Sequence, residues 1–579
     1  MGRIWGYIWR YRRRYLIGGL CLFGTATLVM WIPWWIREAV RVIEHGGSMH
    51  DITYYAALII AAALTQGVVR TYSRTLIFNA GRTVEYDLRN DLFAHLQKLP
   101  LSFYHSQRTG DLMSRVINDL SAVRIMLGPG ILNFVSAPLY YVYAVALMLS
   151  MDVRMTLAAL APFPLLMFVA HKFRGRIMKS SLEVQQQMSI LSSQVQENLS
   201  GMHVVKAYAQ EQFQTQQFIG SNKDYEVKSL EMAKLRGIVN PIMQGISGLT
   251  VLVVIWYGGV RVMRGDLLVA DIVAFIAYLN VLAWPTAAFG WMLSLVERGR
   301  AAMRRLEEIL ETRPEIANES TSEDALSLKN AIEFRNVSFA YERQLNGHGA
   351  VQGLNFALPM GRSVGLVGRV GSGKSTVAQL VARLFDVSNG AVLMDGQDIR
   401  QLSLRALRKM IGYVPQEPFL FSTSLKKNLT FGRDSSSAEE IARAVKIAKL
   451  ERDLEIFPQG LDTVVGERGV TLSGGQKQRA TLARALIMDP PVLILDDCLS
   501  SVDAQTEAEI LHELRAILKN KTCLIISHRI SAVKEADEIL VLEEGQIIER
   551  GNHDQLVRHG GVYAELYQQQ RLSEELEEI

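Results

Sequence analysis

Apolar residues form long runs before about residue 300 and short runs after it. An α-helix needs about 20 mostly apolar residues to cross a bilayer, and six runs are close to that length or longer. The predicted spans are residues 15–36, 54–78, 129–149, 153–173, 238–260 and 267–293. The stretches between spans two and three, and between spans four and five, are polar and helix-patterned. We therefore predict an all-α six-helix transmembrane domain with long cytoplasmic helix extensions.

The residues at the ends of the spans indicate their orientation. Before the first span the chain carries basic residues and no acidic ones, namely Arg3, Arg10, Arg12, Arg13 and Arg14. Basic residues favour the cytoplasmic side and tryptophans favour the interfaces, so Trp31, Trp34 and Trp35 mark the far end. This predicts a multi-pass protein of the cell (inner) membrane with a cytoplasmic N-terminus. Arg261 and Arg264, in an outer loop, run against the rule.

After residue 330 the pattern changes to short β-branched strands that alternate with helices. Examples are residues 332–339, 363–367, 492–496 and 522–527. That alternation predicts an α/β nucleotide-binding domain. The predicted organisation is a transmembrane domain over residues 1–310, an acidic linker over 311–330 and a cytoplasmic nucleotide-binding domain over 331–579.

Composition narrows the classes of site and partner. The 579 residues carry a formal net charge of +4, which does not suggest nucleic acid, and no nucleic acid partner is expected. The three cysteines are Cys21, Cys498 and Cys523, with no C-x-x-C spacing. Such a sparse, odd set argues against a disulfide framework and against a zinc site.

A glycine-rich loop follows one predicted strand and opens a helix. The loop reads GRVGSGKST over residues 368–376, which is the P-loop pattern for ATP with Mg²⁺. Its backbone N–H groups cradle phosphate, Lys374 reaches the β- and γ-phosphates, and Ser375 supplies a hydroxyl to Mg²⁺. Asp496, at the end of an apolar strand, is the candidate carboxylate for the Mg²⁺ shell. The candidate ATP-binding residues of the loop are Gly368, Gly371, Ser372, Gly373, Lys374, Ser375 and Thr376.

The sequence LSGGQ at residues 472–476 carries a resemblance that covers nearly the whole chain. With it the chain resembles a half-size ABC exporter with a type IV transmembrane fold, in which this signature binds the γ-phosphate of ATP held by the opposite nucleotide-binding domain. A helix start is suited to that contact, since its N–H groups attract anions. The resemblance implies that the chain works with a second half-transporter. It also implies ATP contacts from Ser473, Gly474, Gly475 and Gln476.

Four further positions match motifs of the family in order along the chain. Tyr341 matches the residue that stacks on adenine, and Gln416 matches the glutamine that reaches Mg²⁺ and the attacking water. Asp503 ends Ser500–Asp503, which matches the loop that crosses the interface between the two nucleotide-binding domains. His528 matches the switch histidine that contacts the γ-phosphate.

Three segments resemble loops of the same family. Gly466–Gly469 resembles the exporter-specific loop before the signature. Residues 103–120 resemble the first cytoplasmic loop, with a coupling helix near Thr109–Arg115, and Val204–Glu211 resembles the second. The resemblance implies that these short helices dock on nucleotide-binding domains and transmit their closure. The alternative interpretation is a pair of solvated amphipathic helices.

One position departs from the family pattern. The family's general base is a glutamate directly after the Asp496 position, and this chain has Asp497 there. Aspartate is shorter by one methylene, about 1.5 Å, and a misplacement of about 1 Å can cost on the order of 10²-fold in rate. The pattern resembles the degenerate-site subunit of heterodimeric multidrug-type exporters. It predicts slow hydrolysis at this chain's own site and a different partner chain that has the glutamate. The alternative is that Asp497 acts through a longer path.

The sequence leaves the identity of the transported substrate open. The resemblance implies export of small hydrophobic or amphipathic compounds, such as drugs, lipids or peptides, across the lipid bilayer by alternating access. The alternatives are a homodimeric lipid or drug flippase, a siderophore importer on the same fold, and a nucleotide-gated channel. Six membrane spans exclude a soluble ATPase that acts on DNA or ribosomes.

Polar and aromatic residues within two spans have two interpretations each. Arg70 and Arg74 lie one helical turn apart in the second span. They either bind anionic or amphipathic substrates, or pair structurally or lie in the cytoplasmic extension. Trp284, Pro285 and Trp291 in the sixth span either kink the helix and line a cavity, or pack inside the domain.

Overall fold

The computed structural model describes residues 2–316, 327–341, 349–433, 435–466, 470–519 and 521–577. By packing, the chain divides into two units. The helical unit comprises Met1–His95 and Gly110–Glu311, and the α/β unit comprises Leu96–Thr109 and Thr312–Ile579. The predicted linker 311–330 lies at this change of unit, and its residues 317–326 lie outside the described part.

Helices occupy almost all of the chain up to residue 311. They are α1 (Gly2–Arg10), α2 (Arg12–Glu44), α3 (Met49–Leu96), α4 (Leu101–Ser106), α5 (Thr109–Ser114), α6 (Leu120–Ile125), α7 (Ile131–Met151), α8 (Val153–Leu160), α9 (Phe163–Ser200), α10 (Met202–Ala207), α11 (Glu211–Met263) and α12 (Val269–Glu311). Two π-helical turns, Arg115–Asp119 and Met126–Gly130, join α5, α6 and α7 into one helix over Thr109–Met151.

Five helices of the described chain are long and apolar enough to cross a membrane. They are Arg12–Glu44, Met49–Leu96, Thr109–Met151, Glu211–Met263 and Val269–Glu311. These helices confirm five of the six predicted spans. The fourth, 153–173, is divided between α8 and α9, and among the described residues Val153–Leu166 forms a shorter apolar helix. Pro162, just before α9, has no N–H to donate and its ring disfavours an unbroken helix.

The long helices extend well beyond the thickness of a bilayer. Helices α3, α9 and α11 contain 48, 38 and 53 residues, whereas a bilayer needs about 20. The polar, helix-patterned stretches therefore continue the apolar ones as helix, which confirms the predicted extensions. Within the helical unit, α9 packs along α11 and α12 packs along α2.

Two arginines at the outer ends of the spans are neutralised by neighbouring carboxylates. Arg261, at the end of α11, donates from Nη1 to Asp152 Oδ2 at 2.7 Å, and its Nε lies 3.5 Å from Asp266. Arg37 Nε likewise contacts the buried Asp271 at 2.5 Å. An ion pair reduces the cost of holding a charge near the membrane. This explains how Arg261 is accommodated against the positive-inside trend.

The described part of the α/β unit contains two sheets. The strands are β1 (Ala331–Phe339), β2 (Val351–Pro359), β3 (Ser363–Gly368), β4 (Asn389–Met394), β5 (Gln397–Asp398), β6 (Ile411–Val414), β7 (Val492–Asp496), β8 (Thr522–Ile526), β9 (Glu538–Glu543) and β10 (Gln546–Gly551). The first sheet has the order β2-β1-β4-β5 and is antiparallel. The second has the order β10-β9-β3-β8-β7-β6.

The second sheet determines where the candidate site lies. Strands β9, β3, β8, β7 and β6 are mutually parallel, and β10 returns antiparallel to β9. Every residue of β7 and β8 is buried, as the continuous apolar runs require of central parallel strands. Because parallel strands end at the same edge, Gly368, Asp496 and Ile526 bring the segments that follow them together.

The helices of the α/β unit cover its sheets and carry the remaining motifs. They are α13 (Lys374–Val381), α14 (Leu404–Lys409), α15 (Leu425–Leu429), α16 (Ala438–Ile447), α17 (Glu451–Ile456), α18 (Gly474–Ile487), α19 (Ala504–Leu518), α20 (Ile530–Val533), α21 (His553–His559) and α22 (Val562–Glu577). The helical unit with its membrane-length helices and the α/β unit with its mixed sheets together agree with the predicted fold class.

The short helix α4 belongs to the α/β unit although it precedes most of the helical unit in sequence. Leu101 packs against the core of the β1–β2 sheet, and the His105 ring lies 5.8 Å from the Phe385 ring. The coupling helix predicted near Thr109–Arg115 is not a separate short helix. Its residues form α5, the first part of the long helix that ends at Met151. The second predicted coupling segment, Val204–Glu211, overlaps α10, which has no buried residue.

Candidate nucleotide-binding site

The P-loop backbone has a shape that only glycine permits at two positions. Gly373 has φ +96° and caps α13, and a Cβ there would lie 2.2 Å from the carbonyl oxygen of Ala350. At Gly368 a Cβ would lie 2.1 Å from the carbonyl oxygen of Leu542. The loop therefore turns directly from the end of β3 into α13. This orientation leaves the first N–H groups of α13 available to an anion.

Lys374 is almost fully buried within the loop. Its Nζ donates to the carbonyl oxygens of Gly368 at 2.9 Å and Arg369 at 2.7 Å, with Ser372 Oγ at 3.3 Å. Burial lowers the pKa of Lys374 to about 8, against the opposing attraction of Asp497 and Asp496. The ammonium group is thus held beside the phosphate cradle at a cost in solvation that an anion would offset.

Asp496 ends β7 with its side chain turned towards the P-loop. Ser375 Oγ donates to Asp496 Oδ1 at 2.9 Å, and the hydroxyl of Tyr413 donates to Oδ2 at 3.4 Å. Burial raises the pKa of Asp496, and the negative charge of Asp497 adds to that effect. A serine hydroxyl and a carboxylate are hard oxygen ligands of the kind Mg²⁺ prefers, alongside waters and substrate phosphates. The residues present therefore fit an Mg²⁺-nucleotide.

Asp497 is buried and has a left-handed backbone conformation, with φ +44°. Its N–H donates to the carbonyl oxygen of Ile526 at 2.8 Å, which ties it to the end of β8. Its Oδ1 lies 3.4 Å from the N–H nitrogen of His528 and 3.5 Å from Ser527 Oγ. The carboxylate therefore faces the segment after β8 that carries the predicted switch histidine.

His528 is half-buried in the same group. Burial lowers the pKa of His528, the positive charge of Lys374 lowers it further, and Asp497 opposes both. These interactions show that the structure brings together Lys374, Asp496, Asp497 and His528. This group places an imidazole, two carboxylates and an ammonium beside a phosphate cradle. Such groups can position the reactants and stabilise charge in phosphoryl transfer.

Two predicted site residues stand apart from this group. Gln416 follows β6 and is exposed, and no described residue forms a side-chain hydrogen bond with it. The hydroxyl of Tyr341 donates to Gln379 Oε1 at 2.9 Å and lies 3.1 Å from Thr376 Oγ1. The ring of Tyr341 packs edge-on against Phe385, so it borders the P-loop helix α13.

The signature sequence forms the start of α18. Ser473 caps the helix through a capping box, in which its Oγ accepts from the N–H of Gln476 at 3.2 Å and its own N–H donates to Gln476 Oε1 at 2.9 Å. Gln476 also donates to Asp453 Oδ1 at 2.8 Å. Ser473 and Gly474 are exposed. The capped, exposed helix start can accept an anion from outside the chain.

The loop after Asp497 packs directly onto this helix. A Cβ at Gly475 would lie 2.8 Å from the carbonyl oxygen of Ser501. Gln478 donates to Ser500 Oγ at 2.9 Å and accepts from the N–H of Ser501 at 2.8 Å. Asp503 then caps α19 by accepting from the N–H of Thr506 at 2.8 Å. The signature and Asp497 are therefore parts of one connected assembly.

Two side chains that the sequence motifs do not single out support this site. Tyr413 contacts Asp496 from the neighbouring strand β6, and Gln478 joins the signature helix to the loop after Asp497. Tyr413 lies on the strand that leads into the motif residue Gln416, three positions before it, and this closeness in sequence could have identified Tyr413 as a supporting residue. Gln478 is a buried amide on a helix, and nothing local distinguishes it from a surface glutamine. For the exporter-specific loop, Glu467–Gly469 lie outside the described residues.

The candidate substrate residues lie in the helical unit. Arg70 and Arg74 are exposed on one face of α3, and neither forms an ion pair with a described residue. Trp284 and Trp291 are 60% and 46% exposed, while Pro285 is buried and α12 continues through it. In the single chain the two tryptophans therefore face outward, towards lipid, a partner or a cavity.

A chain with membrane-spanning helices and a phosphate cradle of this form is a membrane transporter that uses ATP. Residues 15–286 match the family described as "ABC transporter transmembrane region", and residues 351–500 match "ABC transporter". The chain belongs to the ABC transporter family and has the organisation of a half-size exporter, with one membrane domain and one ATPase domain. It is a multi-pass protein of the cell membrane.

Three known proteins illustrate the similarity. The chain is 34% identical to "Multidrug resistance-like ATP-binding protein MdlA" of Escherichia coli (strain K12), covering 99% of this chain and 97% of that one. It is 30% identical to "ATP-dependent lipid A-core flippase" of Syntrophus aciditrophicus (strain SB), over 96% and 92%. The solved "bacterial Atm1-family ABC exporter with ATP bound" matches with a TM-score of 0.79 and 26% identity, over 96% and 98%.

The lowered pKa of Lys374 predicts that ATP binding takes up a proton at alkaline pH. Phosphate favours the charged amine, so affinity should be highest below about pH 8 and should fall as pH rises through the lysine pKa. Calorimetry at about pH 8.5, in two buffers of different ionisation enthalpy, measures the uptake. Lys374→Met should abolish it. An unchanged uptake in that variant would assign the proton to another group; His528, with its lowered pKa, is neutral at that pH.

Proposed function

We propose that the chain is one half of an ATP-driven exporter of hydrophobic or amphipathic compounds, and that its own nucleotide site hydrolyses ATP slowly. The observation that carries the second part is Asp497, the carboxylate that follows Asp496 at the end of β7. The proposed roles of the other residues follow the P-loop geometry. Lys374 and the P-loop hold phosphate, Ser375 and Asp496 hold Mg²⁺ with Gln416, and His528 contacts the γ-phosphate.

The short reach of Asp497 supports slow hydrolysis. Its backbone is fixed by the bond to the carbonyl oxygen of Ile526, so the side chain cannot compensate by a shift of the strand end. Its carboxylate lies against the backbone of His528 and the hydroxyl of Ser527. A glutamate would extend the carboxylate by about 1.5 Å. Aspartate therefore orients the attacking water poorly, while Lys374 and His528 still bind the nucleotide.

The exposed signature supports a two-chain site. Ser473 and Gly474 open α18 at the surface of the chain, and the capping bonds between Ser473 and Gln476 leave this exposed helix start available to a phosphate group. In the proposed assembly this end completes the site of a partner half-transporter that carries a glutamate in place of Asp497. The partner's signature completes the slow site, so the two sites differ in rate.

A homodimeric flippase is the second candidate. The similarity to a protein named as a lipid A-core flippase favours it. A homodimer would place Asp497 in both sites, so both would be slow unless Asp497 acts by a longer path. The heterodimeric exporter and the homodimeric flippase therefore predict different rates of ATP hydrolysis for this chain in the absence of a second, different chain.

Lengthening the side chain tests the geometric argument. Asp497→Glu in the purified full-length chain is expected to raise ATP turnover substantially, by up to about 10²-fold, because the carboxylate reaches the attacking water. Steady-state phosphate release in lipid nanodiscs measures it.

The matched control is Asp554→Glu, the same substitution at an exposed position on α21, which is expected to leave turnover unchanged. If Asp497→Glu also leaves it unchanged, side-chain length does not limit the rate and the slow-site proposal fails.

The two arginines of α3 support an anionic amphipathic substrate. An unpaired ionisable residue within a membrane span usually faces a cavity or a substrate path. The double variant Arg70→Ala/Arg74→Ala should slow the transport of fluorescent phosphatidylglycerol by about tenfold or more, since each charged hydrogen bond contributes about 1.5 kcal/mol or more. Phosphatidylcholine transport should change less.

Proteoliposomes with each lipid allow that comparison, and Arg82→Ala, an exposed arginine further along α3, is the control. Equal slowing of both lipids would indicate damage to the cycle rather than to headgroup recognition, and it would contradict the substrate proposal.

A further inference from the structure

The last helix, α22, carries a polar side chain on its core-facing side. Tyr563 is fully buried, and Leu566 packs on the same core. Gln570 follows at the i+7 position from Tyr563 and so lies on the same face of the helix. Its neighbours Gln568 and Gln569 are exposed. An amide on a core-facing stripe requires hydrogen-bond partners, because an unpaired polar group there is costly.

Those partners belong to the segment that carries His528. Gln570 Nε2 donates to the carbonyl oxygen of His528 at 2.5 Å, and Gln570 Oε1 accepts from the N–H of Ile530 at 2.8 Å. Both ends of the amide are thus used, and reversing it would place like groups against each other. Ile530 begins α20, so the amide also satisfies an N–H group that a helix start leaves free.

The same segment is held on its other side by the nucleotide site. The N–H of His528 points to Asp497 Oδ1 at 3.4 Å, and the N–H of Arg529 donates to Ser527 Oγ at 3.0 Å. The Arg529 side chain pairs with Glu507 of α19. His528 therefore has Asp497 on the N–H side of its backbone and Gln570 on the carbonyl side.

Helix α22 is anchored at its start. The N–H groups of Val562 and Tyr563 donate to the carboxylate of Glu549 in β10, at 2.5 and 3.2 Å. The Tyr563 hydroxyl lies 2.8 Å from His553 Nδ1. These contacts join the helix to the edge of the sheet, so Gln570 is presented from a fixed support.

We propose that Gln570 is a positioning residue for His528, which it holds in place through the backbone on either side of the histidine. The inference rests on the proposed role of His528 at the γ-phosphate. Because the P-loop binds the nucleotide independently, loss of the clamp should affect the hydrolysis step and leave ATP binding nearly intact. The C-terminal helix thereby becomes part of the machinery that sets the rate.

The test uses the full-length chain in nanodiscs and single-turnover hydrolysis of labelled ATP. Gln570→Ala should lower the hydrolysis rate by about tenfold, as expected of a small displacement of a reacting group, with the Kd for ATP changed less than about twofold. Gln570→Glu keeps the shape and can accept from Ile530, but as a carboxylate it cannot donate to His528, so it should also be slow. Gln569→Ala, the same residue type on the exposed face, should match the wild type.

A double-mutant cycle with His528→Ala separates positioning from general structural damage. If Gln570 acts through His528, the substitution Gln570→Ala should add nothing in the His528→Ala background. Losses that multiply, or a Gln570→Ala chain as fast as wild type, would overturn the inference and leave the role of His528 standing. A His528→Ala chain with an unchanged rate would instead overturn that proposed role and the inference with it.

Discussion

The buried pair of carboxylates at the end of β7 is the constraint on which the nucleotide site depends. Asp496 and Asp497 are adjacent, and both are almost excluded from solvent. Burying two like charges side by side is unfavourable unless neighbours compensate. Ser375 provides a hydroxyl, Lys374 a positive charge, and the segment after β8 an N–H and a hydroxyl. The parallel order of β3, β8 and β7 brings these groups to one edge.

In the proposed assembly, the same strand end links two sites that belong to different halves. The chain passes from Asp497 through Ser500 and Ser501, which bond to Gln478 of α18, and Gly475 packs on the backbone there. Asp497 is therefore connected to the signature helix through a few residues. In the proposed assembly, the slow site of this chain and the site it completes in its partner share this connected segment.

Local patterns were readable from the sequence, and contacts between distant segments were not. The P-loop was predictable because strand, glycines and helix are consecutive, and the long membrane helices followed from apolar runs with helical continuations. The division of the fourth span between α8 and α9 falls at Pro162, an effect that the overall hydropathy of the run conceals. The helix that packs in the α/β unit is α4, which lies before the predicted coupling helix Thr109–Arg115, and its packing depends on residues distant in sequence. The bond of Gln570 to His528 likewise joins distant segments. Arg261 runs against the charge rule in the sequence because its partner, Asp152, is 109 positions away along the chain.

The most direct test of the account is the ATP turnover of the full-length chain by itself, compared with its turnover in the presence of a half-transporter that has a glutamate at the equivalent of Asp497. Slow hydrolysis by the chain alone, with brisk hydrolysis and transport by the pair, is the result we predict. Brisk hydrolysis coupled to transport by the chain alone would contradict it, because two sites that each contain Asp497 would then suffice.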